Sequence, residues 1–292
     1  MVNFHMNSGN IYIHGKGVKG MHIGHGKRWV CVFLSLFILL SLSAATLAAL
    51  WPDMSGSGAR KKDGALDVNY EHAADGYVLV RGGKSKKRLK LRVRQGEYSV
   101  TYDLGTKNEY EVIPLQFGNG KYQMNLYKQI SGSRYSEEGV VSFKVNMENV
   151  NNAFLYPNQY LRYDQNSLAV QKADALCQGV TDENEKYRII TEYIQRSFVY
   201  DYVRAVTAKG DGVPDVDYCL MHGMGICQDL ASTSACMFRS QGIPAKLVIG
   251  KANGQYHAWV QVTLDGEEKI FDPTAILQNM PQPIKYAVER WY

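Results

Sequence analysis

Near Tyr156-Pro157 the spacing of apolar residues changes, and this limits the folds open to the chain more than any other feature. Before that point apolar residues fall on every second position. Leu89, Leu91 and Val93 alternate with Lys90, Arg92 and Arg94, and Tyr98, Val100, Tyr102 and Leu104 follow the same rule, as do Val141, Phe143, Val145 and Met147. Successive side chains of a strand point to opposite faces, so each run buries one face and wets the other. Turn signals at Gly82-Gly83, Gly105, Gly118-Asn119-Gly120 and Ser131-Gly132 separate the runs. Residues 66–153 therefore read as a small all-β module, an antiparallel sandwich. Beyond Pro157 the period becomes helical. Ser167 can cap a helix through Leu168, Ala173 and Leu176 that stops at Gly179. Thr181 or Asp182 caps a second, with Glu185 placed for a capping box and an apolar stripe of Tyr187, Ile190, Ile194 and Phe198. Residues 154–292 read as an α+β domain.

The N-terminal region divides into a Gly- and His-rich tail (1–28), an apolar segment (29–51) and a Gly/Ser/Lys-rich linker (52–65). From Trp29 to Trp51 there is no charge, and a helix of that length crosses the roughly 30 Å hydrocarbon core of a bilayer. Lys16, Lys19, Lys27 and Arg28 precede it and the first fifty residues hold no acid, which favours an inside N-terminus and a membrane-anchored or secreted, extracytoplasmic bulk. Arg60, Lys61 and Lys62 on the far side oppose that bias. Two readings stay open: an uncleaved anchor, or a signal peptide with Ser43, Ala44, Ala45, Ala48 and Ala49 near its cleavage point. Met21 is a second possible start.

Net charge is +5 over 292 residues, with no zinc-finger spacing and no RNP-like strand, so nucleic acid is not indicated as a partner. The basic run Lys84–Arg94 reads as a solvated sheet face or a charge-guarded edge strand, or alternatively as a binding surface for anionic polymer or lipid. The acids Asp211, Asp215 and Asp217 form a solvated loop without EF-hand spacing. Of five cysteines, Cys31 lies in the apolar segment. Cys177 and Cys219 read as small buried residues rather than disulfide partners, and Cys236, nine residues along the same helical run as Cys227, is too far to bridge to it.

Cys227 differs from them. Gly223 and Gly225 crowd its approach, a helical run follows from Gln228 to Ser240, and Gly242 and Pro244 end it. A cysteine at a helix N-terminus meets free N–H groups and a dipole that favour thiolate over thiol and can hold an oxyanion. An apolar strand (Ala245–Gly250) and a second strand follow, the latter with His257, Trp259, Gln261 and Thr263 on one face. Asp265-Gly266 signals a two-residue hairpin. Counting outward, Leu264 pairs with Glu267 and His257 with Thr274, which sets Asp272 diagonally beside His257. Nucleophile, base and orienter then stand in the order Cys227, His257, Asp272.

The stretches G-I-C-Q-D-L-A, Q-G-I-P-A-K-L-V-I-G, H-A-W-V-Q-V and F-D-P-T resemble the core of the transglutaminase-like superfamily over about Tyr218–Thr274. The resemblance continues weakly through E-K-Y-R-I-I-T-E-Y-I-Q-R-S-F-V-Y-D and leaves the β module uncovered. It implies a papain-like core with a central helix packed on an antiparallel sheet. It implies acyl transfer through a thioester on Cys227, acting as a cysteine protease, amidase or cross-linking enzyme on protein or peptide amides; the extracytoplasmic location makes envelope proteins or wall peptides the expected substrates. Calcium, used by animal transglutaminases, finds no recognisable site in this chain, and neither a cofactor nor a metal is expected. An upstream side chain often completes the oxyanion site in that family; Tyr218 is the candidate here, with Gln228 and Trp259 as further oxyanion or substrate residues. The rival is a catalytically silent cell-surface binding module using the same cleft.

Overall fold

The computed structural model describes residues 50–208 and 212–292. The tail, all of the apolar segment but its last two residues, and Asp211 lie outside the described residues, and with them the expected membrane helix. Among the described residues no helix is long and apolar enough to cross a membrane.

Eight strands come first: β1 (Arg60–Asp63), β2 (Leu66–Asn69), β3 (Tyr77–Arg81), β4 (Leu89–Gln95), β5 (Tyr98–Leu104), β6 (Glu111–Pro114), β7 (Gly120–Ser131) and β8 (Arg134–Val145). They form two antiparallel sheets, ordered β1-β2-β3-β6 and β5-β4-β7-β8. Alternation does what it predicts: Leu89, Leu91 and Val93 are buried while Arg92 and Arg94 face solvent. Each such side chain contributes roughly 1.5–3 kcal/mol on burial. The linker expectation needs correction. Residues 60–63 are strand β1, because Gly64, at φ +53, turns the chain so that Asp63 pairs with Leu66. For the basic strand the structure keeps the solvated-face reading and excludes the edge-strand one: β4 lies between β5 and β7, and Lys90 meets Asp103 at 3.0 Å across the solvated face.

The second part runs α1 (Leu168–Leu176), α2 (Glu183–Ser197), β9 (Val199–Tyr200), α3 (Tyr202–Thr207), α4 (Val216–His222), β10 (Met224–Gly225), α5 (Cys227–Ser240), β11 (Ala245–Ala252), β12 (Gln255–Leu264), β13 (Glu267–Phe271), α6 (Pro273–Leu277) and β14 (Tyr286–Trp291). Asp182 caps α2 through a 2.8 Å bond from the Glu185 N–H, worth about 1 kcal/mol. The sheet is antiparallel, ordered β13-β12-β11-β14. Helix α5 lies against β11 and β12 on one side and α1, α2 and α4 on the other, and every residue from Asp229 to Ser240 is buried. Ala231, Ser234 and Ala235 leave room for that enclosure; the Ser234 hydroxyl donates back to the Leu230 carbonyl at 2.7 Å. Both parts feed one contiguous apolar core, running from Leu66 and Val68 through Tyr122 and Phe143 to Ala235, Phe238 and Val260.

The β12–β13 hairpin has Asp265 and Gly266 both at positive φ, 53° and 79°, and pairs Leu264 with Glu267, the geometry of a primed turn. The ladder runs only as far as Val260–Phe271. Asp272 then leaves the sheet as the N-cap of α6, with Pro273 at the first helical position. His257 therefore does not pair with Thr274: the proline that favours a helix start ends the strand.

Candidate active site

Three local structures converge at the start of α5. The first is the helix terminus itself. Gly223 closes α4 in the left-handed conformation (φ 62°). A side chain at Gly225 would strike the Asp229 Cβ at 2.8 Å and the Cys219 sulfur at 3.0 Å, so the two glycines let the chain fold tightly into Cys227. Asp229, with 1% of its surface exposed, accepts the Ile226 N–H at 3.1 Å and the Asp215 N–H at 3.3 Å. The Arg204 guanidinium of α3 lies 2.7 Å from Asp229 Oδ2, the oxygen that also accepts the Ile226 N–H, as an ion pair. Burial raises the Asp229 carboxyl above its ordinary range, against the lowering effects of the Ile226 N–H bond and the Arg204 charge.

The second is β12, which carries His257 in a buried position (6% exposed). The imidazole Nε2 donates to Asp272 Oδ2 at 2.8 Å, and its other partner is the Cys227 thiol. Burial alone would lower the imidazole pKa. The bonds to Asp272 and Cys227, together with their charges, outweigh it and raise the value to about 9.

The third is the α6 start. Asp272 Oδ1 accepts the Ala275 N–H at 2.9 Å, capping the helix, while Oδ2 takes both His257 and the Tyr286 hydroxyl, the latter at 2.9 Å. Both oxygens are engaged, so the carboxylate cannot rotate without breaking a helix cap.

Cys227, His257 and Asp272 are thus brought together. The other expected residues are placed differently. Gln228 donates from Nε2 to the Gly212 carbonyl at 3.1 Å, fastening the preceding loop. Trp259 has 1% of its surface exposed and packs on Tyr286 at 4.8 Å and beside the His257 ring, a position behind the imidazole that substrate does not reach. Tyr218 stacks on His222 at 4.1 Å, with the Arg204 guanidinium over its ring. Two tyrosines went unread in the sequence. Tyr286 sits on β14, a strand with no alternating apolar pattern. Tyr200 sits on β9, whose parallel pairing sets it opposite Gly225 and beside Cys227. Burial first, then the nearby sulfur charge, raises its phenol to about 12, so it stays protonated at neutral pH and can donate. The signal for Tyr200 was present in F-V-Y-D. Among the described residues no cluster of three His, Cys, Asp or Glu is placed to hold a metal ion.

Residues 170–270 match the sequence model of the transglutaminase-like superfamily. The match is a similarity over about a third of the chain. The matched stretch includes Cys227 and His257 and ends two residues before Asp272. Solved structures similar to this chain include a protein of Cytophaga hutchinsonii provisionally named a cysteine protease, 16% identical, with 66% of this chain and 68% of that one covered and a TM-score of 0.39. The periplasmic domain of TgpA from Pseudomonas aeruginosa is 16% identical over 78% of this chain and 77% of that one, with a TM-score of 0.35. Red sea bream transglutaminase is 12% identical, with a TM-score of 0.25; 68% of this chain and 47% of that one are covered. A comparison with curated proteins gives no match.

Proposed function

We propose that the chain is a thiol-dependent acyltransferase or hydrolase acting on amide bonds of proteins or peptides, with its α+β domain outside the cytoplasm. The observation that carries this reading is a buried imidazole held between a thiol at a helix N-terminus and a carboxylate fixed by a helix cap. In this mechanism Cys227 Sγ, its proton passed to His257, attacks the amide carbonyl. The tetrahedral oxyanion is held by N–H groups at the start of α5 and by the Tyr200 hydroxyl, which takes the role first assigned to Tyr218. His257 protonates the departing amine, leaving a thioester, and then activates water or an incoming amine to release the acyl group. Asp272 keeps the imidazole oriented throughout and stabilises its cationic form. The extracytoplasmic placement rests on the charge-free run Trp29–Trp51 behind four basic residues, and it points to envelope proteins or wall peptides as substrates.

The test compares cell-surface proteins from cells carrying wild type or Cys227→Ser by mass spectrometry. New peptide termini or deamidated glutamines present only with wild type mean hydrolysis, and new isopeptide links mean amine transfer. Identical profiles, with a thiol probe labelling Cys227 as well in His257→Ala as in wild type, would overturn the proposal in favour of a silent binding module.

A further inference from the structure

We infer that a cleft between the two edge strands β5 and β14, separate from the thiol site, binds a glycan chain through stacked sugar rings. The cleft has a volume of about 450 Å³, and its walls include Glu97, Tyr98, Phe117, Glu289, Arg290 and Trp291, a size suited to a small ligand or one segment of a polymer. Three of its walls are aromatic. Tyr98 and Phe117 lie parallel with centroids 5.7 Å apart, and Trp291 stands edge-on to both at 5.8 and 6.1 Å. The Trp291 ring is held in place before any ligand arrives: its indole donates to the Gln116 carbonyl at 3.3 Å, and the Gln116 amide donates back to the Trp291 carbonyl. A platform already ordered costs little entropy on binding. A joint that served packing alone would cover its rings, yet Tyr98 keeps 56% of its surface in water.

The polar groups select the ligand class. A pyranose presents an apolar face of C–H groups, which suits an aromatic ring's negative face, and a rim of hydroxyls that both donate and accept. Glu97 and Glu289 supply acceptors. Arg290 supplies donors, its guanidinium held by the Tyr292 and Tyr256 hydroxyls at 3.2 and 3.3 Å. Bonds from hydroxyls to charged groups are the stronger kind. The two carboxylates also argue against single-stranded nucleic acid, which would stack on the same rings but bring phosphates against them.

The experiment uses the full chain in a detergent without a sugar headgroup. It is titrated with the tetramer of β-1,4-linked N-acetylglucosamine and with cellotetraose, read by calorimetry and tryptophan fluorescence. Saturable binding of at least one tetrasaccharide is expected. Tyr98→Ala and Glu289→Gln should each weaken it at least tenfold, Tyr98→Phe by less than threefold, and Cys227→Ala not at all. Thermal melts matching wild type show that the variants are folded. Absence of binding to both tetrasaccharides, equal binding by Tyr98→Ala, or tighter binding of an oligothymidylate than of either sugar would overturn the assignment.

Discussion

His257 keeps its proton against the penalty of burial because Asp272 and Cys227 both stabilise the charged ring. The group's folded pKa, about 9, stands above the ordinary 6.5, so its contribution to stability is complete below pH 6.5 and disappears as pH rises through 9. At 1.36 kcal/mol per unit this is on the order of 3 kcal/mol. The stability difference between wild type and His257→Gln, from urea midpoints at several pH values, should therefore be largest near pH 6 and shrink steadily toward pH 9. A difference that stays flat or grows with pH would contradict the arrangement. The cysteines give a second expectation. Cys219 and Cys236 are buried and their thiols are raised to about 12, and burial raises Cys177 as well. Thiolate is the reactive form, so at pH 7.5 iodoacetamide should modify Cys227 at least tenfold faster than these three, as read by peptide mapping. In Asp272→Asn the Cys227 rate should fall severalfold, because the imidazole loses its orienting partner.

Among elements, the start of α5 depends on a side chain that the motif does not contain. Arg204, on the exposed helix α3, reaches Asp229 at 2.7 Å, and Asp229 in turn holds the Ile226 and Asp215 N–H groups that shape the turn into Cys227. Removing one partner of a fully buried pair costs 3–5 kcal/mol. The Arg204 side chain is 31% exposed, so Arg204→Ala should cost less, about 1–3 kcal/mol. Loss of Cys227 alkylation rate should accompany that cost, and a double-mutant cycle with Asp229→Asn should show coupling. The boundaries of α2, α5 and the β12–β13 hairpin were legible in the sequence, since Asp182, Gly242-Ile243-Pro244 and Asp265-Gly266 act through local backbone preferences. What escaped was non-local. Whether Asp272 continues a strand or caps a helix turns on Pro273, yet both paths put its carboxylate near His257, so the partnership was foreseeable and the geometry was not. Tyr286 and Tyr200 arrive through β14 and β9, short strands defined by their pairing rather than by any pattern of their own. Tyr286→Phe, which removes one bond to Asp272 and nothing else, should lower the Cys227 alkylation rate by about threefold to tenfold, a loss of order 1 kcal/mol.

Across the whole molecule, the change of period at Pro157 separates two kinds of local structure but not two independent cores. The β sheets and the helix-bearing part share one apolar cluster, and Arg239 ties them together. Its guanidinium, 1% exposed, donates to the carbonyl of Ala245 at 2.7 Å, of Tyr156 at 2.5 Å and of Tyr292 at 2.8 Å. These belong to β11, to the segment leaving the β module and to the segment after β14. Burial lowers the Arg239 pKa, but the planar fork stays charged and meets three acceptors at once, which lysine cannot do. No alternation or capping rule reveals such a joint, because its acceptors are main-chain groups far apart in the sequence. Arg239→Met keeps much of the bulk and removes a donor from three buried carbonyls, of which that of Tyr292 retains the Leu247 N–H at 3.1 Å; a carbonyl left wholly unpartnered costs roughly 1–3 kcal/mol. Wild type should unfold in guanidinium chloride as one cooperative step, with far-ultraviolet circular dichroism and tryptophan fluorescence coinciding. Arg239→Met should lower the midpoint by several kcal/mol and separate the two probes, as the β module and the α5-centred domain lose their common fastening. Arg239→Lys should fall between the two. Coincident transitions in Arg239→Met, at a midpoint near that of wild type, would show that the shared apolar surface alone couples the two parts.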